Sequence, residues 1–260
     1  MSLPVTDRAV DSPPVGGNAP WGFWATLAWL ILALLLHGAA LPLEIALLRG
    51  TAVGHAIDAS IALGALNLVL DWSIPLIVLV IAVRLRGWAL RDYFAWLAPG
   101  VRYVVLGIVL ALAIQFAFSE TFYLLGADWS GAVEQFRTER AAGVSHWIPV
   151  LQAWPSIVCA PIVEESVFRG FLWRGWSQSR LGAVGTFWLG TLAFAAWHIP
   201  KALEMNAVGG IFMLVQVFVL GLLLNWLRWR SGTTTAGMLA HATANLYPPV
   251  TVLIVGALLA

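Results

Sequence analysis

Long apolar runs broken by short polar or charged stretches organise this chain, and most of the runs are of membrane length. Trp21 to Leu41 is apolar apart from His37, and Trp21 and Trp24 stand where an interfacial aromatic belt would place them. Further runs cover about Ile61 to Val83 and Tyr103 to Leu125. A hydrocarbon core of about 30 Å takes roughly 20 helical residues, so each run predicts a transmembrane helix. Arg84, Arg86, Arg91 and Arg102 crowd the connection between the second and third, and residues 126–145 form the longest polar stretch. From His146 to Arg180 there are 35 residues, or about 52 Å of helix, too long for one span. Pro155 and Pro161 break helices, which makes Trp147 to Trp154 an interfacial segment and starts the fourth span near Ser156, its far end overhanging into water. The Leu181-Gly182 step turns the chain into a fifth span ending about Pro200. A sixth covers Ile211 to Leu227, a seventh begins near Thr234, and Pro248-Pro249 set off an eighth segment of about ten residues.

The expected fold class is therefore all-α, a polytopic transmembrane bundle of seven to eight spans. Residues 1–20, with Pro4, Pro13, Pro14 and Pro20, predict a disordered cytoplasmic tail. Residues 21–145 hold the first three membrane helices and their loops, and residues 146–260 hold the helices that carry the chemistry. Composition agrees: of 260 residues, 60% are apolar and 10% charged, against about 45–50% and about 25% in soluble domains. A net charge of +1 leaves no basic footprint for nucleic acid. Cys159 is the single cysteine, which excludes an internal disulfide and a cysteine metal cluster. Outside the fourth span, Arg8, Arg84, Arg86, Arg91, Arg102, Arg174, Arg180, Arg228 and Arg230 fall on one side, and Arg49, Arg137, Arg140 and Lys201 on the other. The positive-inside rule then puts the amino terminus in the cytoplasm. Arginine in thirteen of fourteen basic positions, with abundant Ala, Gly and Trp, fits a GC-rich bacterial coding bias and hence a bacterial inner membrane.

A charge at the bilayer centre costs about 2.5–3.5 kcal/mol on insertion scales, so each needs a partner or a cavity. The fourth span has three, in Pro161-Ile-Val-Glu-Glu-Ser-Val-Phe-Arg-Gly170. Glu165 and Arg169 are i and i+4 with the acid first, the better orientation for an ion pair, and are read as structural. Glu164 stands about 140° around the helix from Arg169, at about 100° per residue, and remains free to act as a general base. Phe194 and His198 lie one turn apart in the fifth span, as do His241 and Asn245 in the seventh, each pair on one helix face. The midpoint of Glu164 and His198 falls at the Leu181-Gly182 turn, so an antiparallel hairpin brings them to one depth. Ser166 has no nucleophile motif around it, and Cys159 reads as a small packing residue. Asp71, Glu120, His37, Gln115, Gln216 and Asn225 also fall in or near spans; no spacing links them, and they read as packing or interfacial groups.

Together Glu164-Glu-Ser-Val-Phe-Arg169, Phe194-Ala-Ala-Trp-His198 and His241-Ala-Thr-Ala-Asn245 resemble the E-E-x-x-x-R, F-x-x-x-H and H-x-x-x-N pattern of the CPBP intramembrane proteases. That family includes CAAX-processing endopeptidases and bacterial Abi or bacteriocin-immunity proteins. The resemblance covers about residues 156–250 and implies a helical fold of about eight spans, with Glu164 and His198 activating a water and His241 and Asn245 stabilising the oxyanion. Peptide hydrolysis independently asks for a deprotonated water, a proton donor for the leaving amine and donors aimed at the developing oxyanion, which these four residues supply. Glu164, His198 and His241 are equally a ligand set for a divalent metal such as zinc. Phe194 reads as a pocket wall. The expected partners are membrane lipid and a membrane-associated peptide or protein substrate. The rival reading is a non-catalytic immunity or scaffold protein that keeps the polar network for structure.

Overall fold

The computed structural model describes residues 21–48, 50–59, 61–124, 134, 138, 141 and 153–258. The expected tail, most of the polar stretch 126–145 and the interfacial segment as far as residue 152 lie outside the described residues. All regular structure among the described residues is helical. In order these are α1 (Phe23–Leu48), α2 (Ala52–Ala59), α3 (Ile61–Leu85), α4 (Leu90–Tyr93) and α5 (Val101–Leu124). A composite helix α6 follows, then α7 (Gly182–Trp197), α8 (Ile199–Leu203), α9 (Ala207–Ser231) and α10 (Thr235–Leu258). Five have stretches long and apolar enough to cross a membrane: α1, Leu66–Leu85 of α3, α5, α9 and Thr235–Val255 of α10.

The eighth segment expected after Pro248-Pro249 is not separate, because α10 continues through both prolines to Leu258. The two rings delete helical donors, but α10 packs along α5 and α9. Neighbouring helices and hydroxyl side chains let a membrane helix tolerate such losses, and Thr251 Oγ1 donates to Tyr247 O at 2.9 Å. The short α2 and the extension of α1 through Pro42 are likewise absent from the sequence reading.

Helix α6 is the axis of the bundle. It consists of a π-helical turn Pro155–Cys159, α-helix Ala160–Glu165, a second π-helical stretch Ser166–Leu172 and α-helix Trp173–Ser177. Backbone dihedrals stay in the right-handed helical region at every junction, so the helix is continuous where Pro161 predicts a break. The wide turn explains this. The Ala160 N–H reaches back five residues to Pro155 O, which opens the frame just before the Pro161 ring. At the second stretch Ser166 Oγ donates to Ile162 O at 2.6 Å, inserting a hydroxyl into the ladder. Residues Glu165 to Trp176 are all buried, as expected of a helix surrounded on every side.

The arginine-rich connection is more than a loop. Tyr93 and Phe94 are fully buried against α6: the Tyr93 ring packs on Phe171, and a Cβ on Gly170 would meet the Phe94 ring at 2.8 Å. Arg174 NH1 donates to Asp92 O at 2.8 Å, and its guanidinium lies over Trp88 and Tyr93. Gly182, at φ +61°, makes the turn from α6 into α7 in a conformation that disfavours side chains.

Candidate active site

The hairpin of α6 and α7 meets α10 at one buried cluster. Glu164 Oε2 is 3.9 Å from His198 Nε2 and 3.9 Å from His241 Nε2. Glu164, His198 and His241 are 15%, 21% and 4% exposed, so the three converge away from lipid rather than on a helix surface. The midpoint argument for Glu164 and His198 therefore holds in the structure. Glu164 Oε2 is buried and accepts no hydrogen bond, which makes it a base with a lone pair to spare.

The two histidines differ in what holds them. His198 Nδ1 is 2.9 Å from Phe194 O, one turn back on α7; a carbonyl can only accept, so Nδ1 carries the proton and Nε2 offers a lone pair. His241 Nδ1 is 3.1 Å from Glu165 Oε1, and since a carboxylate accepts there, Nδ1 carries a proton on this ring too. Both rings thus turn Nε2 toward Glu164, one anchored by a backbone carbonyl and the other by a carboxylate.

Glu165 thus does more than the sequence reading gave it. Its Oε1 also receives Arg169 NH1 at 3.0 Å, the expected i, i+4 pair, with both side chains fully buried. Its Oε2 lies where a Cβ on Gly237 would stand 2.7 Å away, so glycine at 237 makes room for the carboxylate. Arg169 is held on every edge: Nε donates to Asn225 Oδ1 at 3.0 Å and NH2 to Gly221 O at 3.2 Å. Asn225 in turn donates to Phe187 O and Thr191 Oγ1. Arg228 Nε donates to Arg169 O at 2.8 Å, at the wide turn of α6. Phe194 takes the Arg169 guanidinium over its face at 4.2 Å and meets both imidazoles at steep angles. Its ring thus touches the guanidinium and both imidazoles.

A cavity of about 300 Å³ opens beside this cluster, lined among others by Ser156, Phe194, His198, His241 and Asn245. Asn245 therefore shares the cavity with His241, and its Nδ2 donates to Ser156 O at 2.7 Å, leaving a second N–H. Gln115 and Gln216, read from sequence as packing groups, face the same cavity. They and Asn225 are what the sequence reading missed; the available signal was a lone amide in an otherwise apolar span. Ser166, paired with Trp96 Nε1 and Ile162 O, has no place in the chemistry.

The donor types of Glu164, His198 and His241 suit zinc, but their placement does not close on one ion. Two ligands about 2.05 Å from zinc at a tetrahedral angle stand roughly 3.3 Å apart, whereas Glu164 Oε2 is 3.9 Å from each Nε2. No group of three or more His, Cys, Asp or Glu among the described residues is arranged to hold a metal ion.

Fold and cluster together define an integral membrane protein with a buried polar cluster beside a cavity within a helical bundle. Residues 146–247 match the Rce1-like family model, described as type II CAAX prenyl endopeptidase Rce1-like, so the resemblance carried by the three motifs holds for that segment. The family is one of proteases. The match includes Glu164, His198, His241 and Asn245 and stops short of α1 to α5. No curated protein and no solved structure matches the chain.

Proposed function

We propose that this protein is an intramembrane endopeptidase that hydrolyses a peptide bond of a membrane-associated peptide or protein with a water activated by Glu164 and His198. One observation carries the reading: a buried carboxylate oxygen with no hydrogen bond stands equidistant from the Nε2 atoms of two imidazoles whose Nδ1 atoms are already committed. A separation of 3.9 Å is too long for a direct hydrogen bond and within the reach of a bridging water.

In this mechanism Glu164 Oε2 takes a proton from the water while the lone pair of His198 Nε2 holds the other O–H. The water oxygen bonds to the scissile carbonyl carbon, and the carbonyl oxygen becomes an oxyanion. His241, carrying protons on both nitrogens in this mechanism with Glu165 as counter-ion at Nδ1, donates from Nε2, and the spare Asn245 N–H joins it in stabilising the oxyanion. The proton on Glu164 passes to the leaving nitrogen, directly or through His198, the C–N bond breaks, and the remaining hydroxyl proton follows to the amine, so that a carboxylate and an ammonium leave. Glu165 orients and supports His241, Arg169 fixes Glu165, and no step is routed through a metal.

We further read seven spans: the five long helices, α6, and α7, whose 16 residues reach about 24 Å. The amino terminus is placed in the cytoplasm and the protein in a bacterial inner membrane, on the arginine distribution and composition given above. The test compares membrane-associated peptides from cells carrying wild-type protein or Glu164→Gln, followed by cleavage of a quenched-fluorescent farnesylated CAAX-box peptide and its unprenylated counterpart by purified protein. Cleavage by wild type alone supports the reading, and no cleavage difference in either assay rejects it. Turnover by metal-depleted protein, checked by metal analysis, supports the metal-free route; turnover restored only by added zinc rejects it.

A further inference from the structure

Gln115 on α5 and Gln216 on α9 are neutral amides in otherwise apolar spans, 101 residues apart in sequence, and they meet at the wall of the cavity that holds His198, His241 and Asn245. Gln216 Nε2 donates to Gln115 Oε1 at 2.6 Å. Two carboxamides contain two NH2 groups and two carbonyls, and one shared hydrogen bond uses one of each. The NH2 of Gln115 and the carbonyl oxygen of Gln216 are left over, with no hydrogen bond to the protein among the described residues. Turning both amides round exchanges the roles but leaves the same remainder, one donor and one acceptor.

That remainder is complementary to one peptide unit, whose C=O accepts from the NH2 and whose N–H donates to the carbonyl. A substrate drawn into a hydrocarbon-bounded cavity must satisfy its backbone groups there, since an unpaired peptide group in such surroundings costs several kcal/mol. The described residues lining the wall include no Arg or Lys, and the Arg169 guanidinium is fully buried and paired with Glu165. The site therefore suits an uncharged main-chain group better than a terminal carboxylate. We infer that Gln115 and Gln216 are a substrate-positioning pair that binds one backbone peptide unit flanking the scissile bond, holding it extended against His241 and Asn245. This rests on the protease reading, and it assigns work to α5, which lies outside the segment matched by the family.

The test uses the full-length protein in detergent and the quenched-fluorescent farnesylated CAAX-box peptide. Gln115→Met with Gln216→Met removes both partners together, so no buried amide is orphaned and the fold is expected to survive. A clamp that grips substrate and transition state alike raises KM about tenfold with kcat near wild type, since a lost hydrogen bond is worth up to about that factor. A mere interhelical contact lowers the melting temperature and leaves KM unchanged, which overturns the inference. A second arm needs only wild-type protein: peptides in which each backbone amide in turn is replaced by an ester. One position near the scissile bond should raise KM several-fold, and equal KM along the series overturns the clamp whatever the variants do. No cleavage of the parent peptide by wild type, with no difference between the membrane-associated peptides of wild-type and Glu164→Gln cells, rejects the protease reading and the clamp with it, whereas cleavage indifferent to both arms rejects the clamp alone.

Discussion

Glu165 Oε1 accepts from both Arg169 NH1 and His241 Nδ1, at 3.0 and 3.1 Å, so one buried oxygen ties a cation on its own helix to an imidazole on another. The acid one residue before it, Glu164, shares neither contact and faces the Nε2 side of both rings. Two consecutive glutamates on one helix thus serve opposite sides of the same histidine.

The first prediction follows from that division. Glu165→Gln keeps the size of the side chain but replaces a carboxylate with an amide, which gives His241 Nδ1 a weaker acceptor and less support for the ring as a donor. Turnover should fall by about 10² or more, with substrate binding nearly unchanged, because the lost interaction is strongest in the transition state. Steady-state kinetics check it; an unchanged kcat would make Glu165 structural only.

Arg169→Ala should act mainly on stability. It removes the partner of a fully buried carboxylate and strands Asn225 Oδ1 and Gly221 O. Breaking a buried pair from one side costs about 3–5 kcal/mol. Melting in detergent should drop clearly, and an unshifted transition would mean that the guanidinium contributes nothing net.

A third prediction concerns Gly237. A Cβ there would lie 2.7 Å from Glu165 Oε2, and that carboxylate has no open side to retreat into. Gly237→Ala should therefore reduce turnover more than a glycine-to-alanine change in a helix otherwise would, since alanine is the better helix former. Activity and melting measured together decide it: a more stable variant with full activity would show that Glu165 can shift without loss.

Much of this site was legible in the sequence because charge in an apolar helix is a loud signal and helical spacing fixes phase. Glu164, His198, His241 and Asn245 stand out that way as candidates, and the Leu181-Gly182 midpoint puts Glu164 beside His198, as the 3.9 Å separation has it. The structure adds what spacing cannot carry. Glu165 faces both Arg169 and His241, yet only the first lies on its own helix at i+4; the second depends on how α10 packs. Asn225, Gln115 and Gln216 each stand alone in their spans, so nothing in the one-dimensional pattern says which partner lies across the interface. Proline misled twice for the same reason. Pro161 and Pro248-Pro249 break helices in water, whereas a wide turn ahead of Pro161 and packing along α10 keep both helices whole here.

The last prediction separates an enzyme from a scaffold. Glu164 makes no hydrogen bond that stabilises the fold, and its buried Oε2 meets only the two imidazole nitrogens at 3.9 Å. Glu164→Gln should therefore keep the melting temperature while losing about 10² to 10⁴ in turnover, the usual worth of a general base. Asn245→Ala is expected to lose about 10² to 10³ as an oxyanion donor, with an added stability cost because its amide also bridges α10 to Ser156 of α6. The two variants should thus part company in melting while agreeing in kinetics. A scaffold predicts the reverse, with function following stability, so that Asn245→Ala suffers and Glu164→Gln does not. Wild-type cleavage of a verified substrate by pure, folded Glu164→Gln would falsify the proposed mechanism, and loss of cleavage in a variant that melts like wild type leaves the carboxylate with no role but the chemical one.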